Sequence, residues 1–361
     1  METKIRIQHG VAHDLCLTIA KEELEECLLS FPWWEKLVHS YGYVRHPMGE
    51  IPEEKGLPAS HDPDTGWAKG GGALSKYKIP PEGHLRQDGL NLLDEHGRPT
   101  RRFILIGNRN LGNNPGFVAW HRDKSPRLFH LKGDEVKKEP YTCLVWYKEG
   151  DLRIESIKFK TKGNDHSPYR VADGENLSEM IYWCTYGQQV LRSGKLVDIE
   201  EIIDQFYDIR HVLCFPTSDE KGREELRGLY EGYPEEFRDR VLAAWREGRP
   251  RSRYIHNAIG IASDRIIILQ RHGTIEEIGQ WLREEGAEDG IILDNGGSVF
   301  TWAWWAFREI IKEGEEEIRI TGNLIFNSPD WRPPTISLIA FVLKGPPRHE
   351  EPPGSVAFTV G

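Results

Sequence analysis

The chain has 361 residues, 38% of them hydrophobic, which is enough apolar material for one large or two ordinary domains and too much for a disordered segment. A formal net charge of −10 argues against general affinity for nucleic acid or anionic membrane, since both reward clustered Lys and Arg. No apolar run approaches membrane-spanning length and the N-terminus has no uninterrupted apolar h-region, so the sequence predicts a cytoplasmic protein without membrane association.

Five cysteines (Cys16, Cys27, Cys143, Cys184 and Cys214) are scattered without a Cys-x-x-Cys pair and read as reduced structural thiols. Thr18 is positioned to cap a helix running toward Ser30, with Glu22 and Glu23 near its start, where the helix dipole favours negative charge. Phe31, Trp33 and Trp34 follow as an aromatic group suited to packing an N-terminal element onto the body. From Gly42 to Pro99 the composition shifts to Gly, Pro, His and Asp, an irregular excursion whose His61-Asp62-Pro63-Asp64 cluster lacks partner ligands at metal-site spacing.

Strands are predicted at Phe103–Ile106, Phe117–His121 and Leu128–Leu131. Tyr141–Tyr147 and Leu152–Lys160 form a hairpin pattern, with a phase slip that predicts a bulge near Glu155-Ser156. Glu175–Trp183 reads as a short helix, Tyr186–Val197 as a hairpin and Asp198–Phe206 as a helix capped by Asp198. Val212–Phe215 reads as a short buried strand, and the charged segment 218–247 as a helical insertion.

Ile255–Ala262, a turn at Ser263-Asp264 and Ile266–Leu269 predict a second hairpin. A helix follows, with Thr274 and Glu277 at capping-box spacing, Ile275, Ile278, Trp281 and Leu282 on one face, and Gly286 as its stop. The apolar run Gly290–Leu293 then delivers Asp294 into Asn295-Gly296-Gly297-Ser298, a turn whose glycines let a ligand approach the backbone. Trp302, Trp304 and Trp305 lie just beyond, Phe307–Ile311 reads as a helix, and Ile318–Phe326 and Thr335–Leu343 as strands. The Pro-rich tail beyond Gly345 predicts loose attachment.

Several segments carry a resemblance. Ala258-Ile259-Gly260-Ile261, the helix end Glu284–Gly290 and the run Ile291–Ser298 resemble, in this order, the phosphodiester glycosidase family. Tyr186–Lys195 is similar to that family's GP-x-L-x-x-x-G-K segment, and Asn327–Pro333 to its late N-x-P…R-P segment. Gly107-Asn108 through Phe117 is the nearest counterpart of its early Asn-Gly-Gly-Phe-Phe run. The chain departs from the pattern at Asn295, where the family has glycine, and at His256-Asn257, where it has Arg-Thr.

The resemblance implies a hydrolase cleaving a glycosyl phosphodiester. That chemistry needs donors on the phosphate, a carboxyl to handle a proton or water, and a pocket for the sugar. Asp294 is the candidate acid/base or ligand of a divalent cation, no other cofactor being indicated, and His256 the second candidate catalytic residue. Asn295, Gly296, Gly297 and Ser298 would form an anion nest, Arg253 and Arg332 would face the phosphate, and Trp302 would support the sugar or base. The competing reading of Asp294 is a residue that only caps a tight turn.

A catalytically inactive binding protein for a sugar phosphate or nucleotide sugar, and a structural or interaction protein, are the alternative functions; a homo-oligomer is compatible with all three. The expected architecture is α+β, a mixed, mainly antiparallel sheet flanked by helices. Its expected divisions are an N-terminal helix and irregular extension over 1–100, the main domain over 101–345 with the insertion 218–247, and a tail over 346–361.

Overall fold

The computed structural model describes residues 2–8, 11–30, 92, 100–109, 116–124, 127–131, 140–162, 165–205, 254–295, 299–307, 310–311, 317–318, 322–327, 337–345 and 356–359. In chain order the first strands are β1 (Glu2–Gln8), β2 (Val11–Ala20), β3 (Leu24–Ser30), β4 (Arg102–Arg109), β5 (Gly116–His121), β6 (Leu128–Leu131) and β7 (Tyr141–Tyr147). They are followed by β8 (Leu152–Lys162), β9 (Asp165–Arg170), β10 (Ile181–Tyr186), β11 (Gln188–Arg192), β12 (Lys195–Leu196) and helix α1 (Ile199–Asp204). Next come β13 (Tyr254–Ile261), β14 (Arg265–Gly273), helix α2 (Ile275–Glu284) and β15 (Asp289–Asn295). The last are β16 (Phe300–Phe307), β17 (Ile310–Ile311), β18 (Glu317–Ile318), β19 (Gly322–Asn327), β20 (Ser337–Leu343) and β21 (Val356–Thr359).

These strands make three sheets. The first has nine strands in the order β12-β11-β15-β13-β14-β2-β1-β17-β18, the second six in the order β6-β5-β10-β7-β8-β9, and the third six in the order β21-β19-β16-β4-β20-β3. Among the described pairs only β1 with β17 and β19 with β21 are parallel. The mainly antiparallel pairing agrees with the sequence reading, but the α+β architecture with flanking helices does not. The described chain is a sheet-rich fold with two α-helices, of which α2 packs on one face of the nine-stranded sheet.

Three segments expected as helices explain the difference. Beyond Thr18 the chain completes β2, makes a 3-10 turn over Lys21–Glu23 and enters β3. Leu15, Leu17 and Ile19 are buried at every second position, the period of a strand, and β14 pairs along the whole stretch. Glu175–Trp183 is turns leading into β10, and Ile310–Ile311 is a strand on the edge side of β1. In each case neighbouring strands satisfy the backbone that a helix would have satisfied internally.

The bulge expected in β8 is also absent: β7 and β8 stay in register from Tyr141 against Ile157 to Trp146 against Leu152. The phase slip has another cause. Leu152 is buried on one face near the turn, whereas Ile157, on the other face, joins the core of Trp120, Tyr141, Cys143 and Tyr186. The strand thus buries opposite faces at its two ends.

Other expectations hold. β13 and β14 pair without a shift from Tyr254 against Gly273 to Ile261 against Ile266. Thr274 caps α2: its hydroxyl accepts from Glu277 N, while the Glu277 carboxylate accepts from Thr274 N at 2.8 Å. Gly286 takes a φ of 89° just past the helix, a conformation that favours glycine. Ile275, Ile278 and Leu282 of α2 pack on Val190, Leu191, Ala258, Ile267, Leu269 and Ile292. Asp198 Oδ1 accepts from Glu200 N at 2.8 Å at the start of α1. Cys16, Cys27, Cys143 and Cys184 are buried thiols outside any disulfide.

The chain passes from the second sheet to the first at Gly187, between β10 and β11. A Cβ at that position would stand 2.6 Å from Ile291 Cγ1 and 2.6 Å from the Ile292 carbonyl oxygen, so only glycine allows β10 to hand over this close to β15. In the tail, β21 pairs with β19, which fastens a segment expected to be loosely held. The aromatic group Phe31, Trp33 and Trp34, the His61–Asp64 cluster, Val212–Phe215 and the insertion 218–247 lie outside the described residues. No described helix is long and apolar enough to cross a membrane.

Candidate functional site

β13 lies between β14 and β15, and its side chains alternate between two environments. Ala258 packs in the core beneath α2, and a Cβ at Gly260 would meet Ala287 and Leu282 of that layer. His256 shares this face: its cross-strand partner Arg271 stacks its guanidinium 3.6 Å from the Trp281 ring centroid on α2. Asn257 therefore faces the other way, toward the third sheet, where its Nδ2 donates to the Gly107 carbonyl of β4.

On β15 the same alternation would send Asp294 under α2 with Ile292. A register shift prevents this. Ala258 pairs with Ile292 and Asn257 with Asp294, which leaves Leu293 as an extra residue on β15. Residues directly opposite in an antiparallel pair share a face, so the bulge turns Asp294 onto the side occupied by Asn257. Leu293 is buried, whereas Asp294, the last residue but one of β15, is half-buried with its Oδ2 shielded from solvent.

Around Asn257 the three sheets meet through polar side chains. Gln270 Nε2, on β14, donates to Asn257 Oδ1 at 3.1 Å. One residue along β4, Asn108 Nδ2 donates to Thr185 Oγ1 of the second sheet and to Ser337 Oγ of β20, each at 3.2 Å. A second register shift falls at this point, where Ser337 pairs with Arg109 and Leu338 with Gly107, skipping Asn108. Asn108, Thr185, Asn257, Gln270 and Ser337 are all fully buried. Burying so many amide and hydroxyl groups is costly unless they bond one another, which most of them do here.

His256 is 1% exposed, and its Nε2 donates to the Gly273 carbonyl at 3.1 Å, just before the cap of α2. Burial, helped by neighbouring His272, pulls its pKa down to about 4, so the imidazole is neutral near pH 7. With the proton on Nε2, Nδ1 is a buried acceptor without a hydrogen-bond partner among the described residues. The two candidate catalytic residues thus sit at adjacent register positions on opposite faces of the sheet.

Of the other expected site residues, Asn295 is the end of β15 and pairs with His256, and Trp302 lies in β16 between Leu105 of β4 and Ile325 of β19. Gly296, Gly297, Ser298, Arg253 and Arg332 lie outside the described residues. Among the described residues no group of three or more His, Cys, Asp or Glu side chains converges as a metal site. A cation on Asp294 would need further ligands from elsewhere. The sequence reading passed over Gln270, Thr185 and Ser337. Gln270 had a visible signal, a lone amide directly after the apolar run Ile266–Leu269.

No family model matches the chain, and no curated protein matches it in sequence. Among solved structures it is similar to the zebrafish N-acetylglucosamine-1-phosphodiester alpha-N-acetylglucosaminidase catalytic domain auto-inhibited by pro-peptide. The identity is 14% and the TM-score 0.38, over 77% of this chain and 71% of that one. It is also similar to a hypothetical protein from Synechocystis, at 10% identity and a TM-score of 0.28, over 95% of this chain and 61% of the other.

Proposed function

We propose that the chain is a hydrolase acting on a glycosyl phosphodiester, with Asp294 as its proton-handling group. The observation that carries this reading is the Leu293 bulge, which turns Asp294 from the α2 layer to the side where Asn257 binds Gly107. Bulges recur beside active sites because they re-aim one side chain without disturbing the rest of the strand. It is supported by the convergence of segments that carry the family resemblance: Gly187, Ala258–Ile261 and Asp294 come from distant parts of the chain and meet along β15.

In this reading Gly296, Gly297 and Ser298 supply N–H groups to the phosphate, Arg253 and Arg332 supply charge, and Trp302 supports the sugar. His256, neutral and facing α2, supports the turn by pairing with Asn295 rather than exchanging protons with substrate. Asp294→Asn tests the assignment, because the amide keeps the shape but cannot take up a proton. Hydrolysis of the methyl phosphodiester of glucose 1-phosphate should fall roughly 100- to 10,000-fold while binding persists. A folded Asp294→Asn protein of undiminished activity would remove Asp294 from the chemistry.

One observation favours a second reading, a binding protein without turnover. Both ends of the Asn257 amide are engaged within the protein, by Gln270 and by Gly107, at a position where the resembled family carries the threonine of its Arg-Thr pair. Saturable binding of a nucleotide sugar with no hydrolysis by the wild type would select this reading.

A further inference from the structure

Gln270 interrupts an apolar strand at the centre of the nine-stranded sheet, paired with Asn257 on one side and Leu15 on the other, where an apolar side chain would pack without needing any partner. Its amide braces a second amide. Asn257 has one donor end and one acceptor end, lying between Gln270 and the Gly107 carbonyl oxygen. The Gly107 carbonyl, which can only accept, holds Asn257 with Nδ2 toward it, and Gln270 Nε2 braces that orientation by donating to Asn257 Oδ1. The opposite orientation would set two oxygens against each other at Gly107.

We infer that Gln270 is a positioning residue which, acting through Asn257, holds the Gly107-Asn108 end of β4 beside Asp294. Its catalytic consequence rests on the hydrolase reading, whereas the clamp itself does not. Two features make this end of β4 dependent on side chains. The register shift at Asn108 interrupts the ladder to β20, and no main-chain ladder joins β4 to β13. The fastening on the far side is Asn108 itself, through Thr185 and Ser337. A carbonyl held in place at Gly107 keeps the backbone of residues 107–109 at a fixed distance from Asp294, whose partner across the sheet is the same Asn257.

Two substitutions separate the polarity of Gln270 from its bulk. Gln270→Met keeps length and removes the donor, and Gln270→Glu keeps shape and presents a carboxylate to Asn257 Oδ1. Amide hydrogen exchange in the segment 107–109 should rise about tenfold in Gln270→Met, the size expected for one lost hydrogen bond, and more in Gln270→Glu. Exchange in Ile266–Leu269 of the same strand should stay within twofold. Adding Gln270→Met to Asn257→Ala should change residues 107–109 no further, because the effect passes through Asn257.

With the glucose 1-phosphate methyl phosphodiester, kcat of Gln270→Met should fall about tenfold at a KM within twofold when rates are expressed per folded enzyme, since a loss of folded protein would by itself lower the apparent kcat at unchanged KM. Unchanged exchange at residues 107–109, or additive effects in the double variant, would overturn the clamp. A wild type without turnover would overturn the hydrolase reading and leave the exchange result to decide the clamp. If neither Gln270 variant folds, the wild type decides: slow exchange of both the Gln270 Nε2 and the Asn257 Nδ2 side-chain amides supports the clamp, and rapid exchange of either refutes it.

Discussion

Protonation of His256 should account for a large share of any acid sensitivity. The imidazole titrates near 4 in the folded protein because it is buried, and near its ordinary 6.5 when the chain is unfolded. The unfolded chain therefore binds a proton that the folded one refuses between these values, and stability falls as pH drops through that window. The contribution is fully present above pH 6.5. It is lost progressively below it, and the loss levels off only below about pH 4.

At 1.36 kcal/mol per pH unit, the full gap corresponds to roughly 3.4 kcal/mol, of which roughly 2.5 is lost between pH 7 and pH 4.5. Against a typical domain stability of about 5–15 kcal/mol this is a substantial fraction. His256→Gln removes the titration and keeps an N–H able to donate to the Gly273 carbonyl. Urea unfolding of both proteins at pH 7 and pH 4.5 isolates the term, because the carboxylates are common to both. The pH-dependent loss should be smaller in His256→Gln by about 2–3 kcal/mol. An identical loss in the two proteins would refute the buried, neutral imidazole.

Thr274→Ala removes one half of the capping box of α2 and should cost about 1 kcal/mol, read as a lower urea midpoint at unchanged slope. Gly187→Ala forces a methyl onto the Ile292 carbonyl and the Ile291 side chain, and should cost about 1–3 kcal/mol, because a backbone atom cannot rotate away. Arg271→Lys keeps the charge near Asp14, 3.1 Å from the guanidinium, but loses the planar stack on Trp281. A drop of about 0.5–2 kcal/mol in thermal or urea stability is expected, and none at all would mean that the stack contributes nothing.

The local elements around the site were legible in the sequence because their signals are short-range. The hairpin of β13 and β14 shows in two apolar runs around Ser263-Asp264, the capping box in the Thr274 and Glu277 spacing, and the stop of α2 in Gly286. The strand identity of Leu24–Ser30 was less visible. Its buried positions Leu24, Cys27, Leu29 and Ser30 fit a helical spacing nearly as well as a strand, and pairing with β20 decides between them. The same holds for Glu175–Trp183, where the chain turns and then pairs with β7.

For the site, the sequence determined that an acid follows an apolar run before a Gly-Gly-Ser turn, and that His256 and Asn257 lie in a strand just before Ala258–Ile261. It could not determine which side of the sheet each would face. That choice depends on one extra residue at Leu293, because a shift by one position exchanges the two faces of a strand. Nor could it bring Gly107 and Asn108 to Asn257 and Thr185, residues separated by 150 and 77 positions. Contacts of that range carry no periodicity in the sequence. They form only when three sheets close on one another and leave buried amides with no water to bond, so that each must find its partner in another part of the chain.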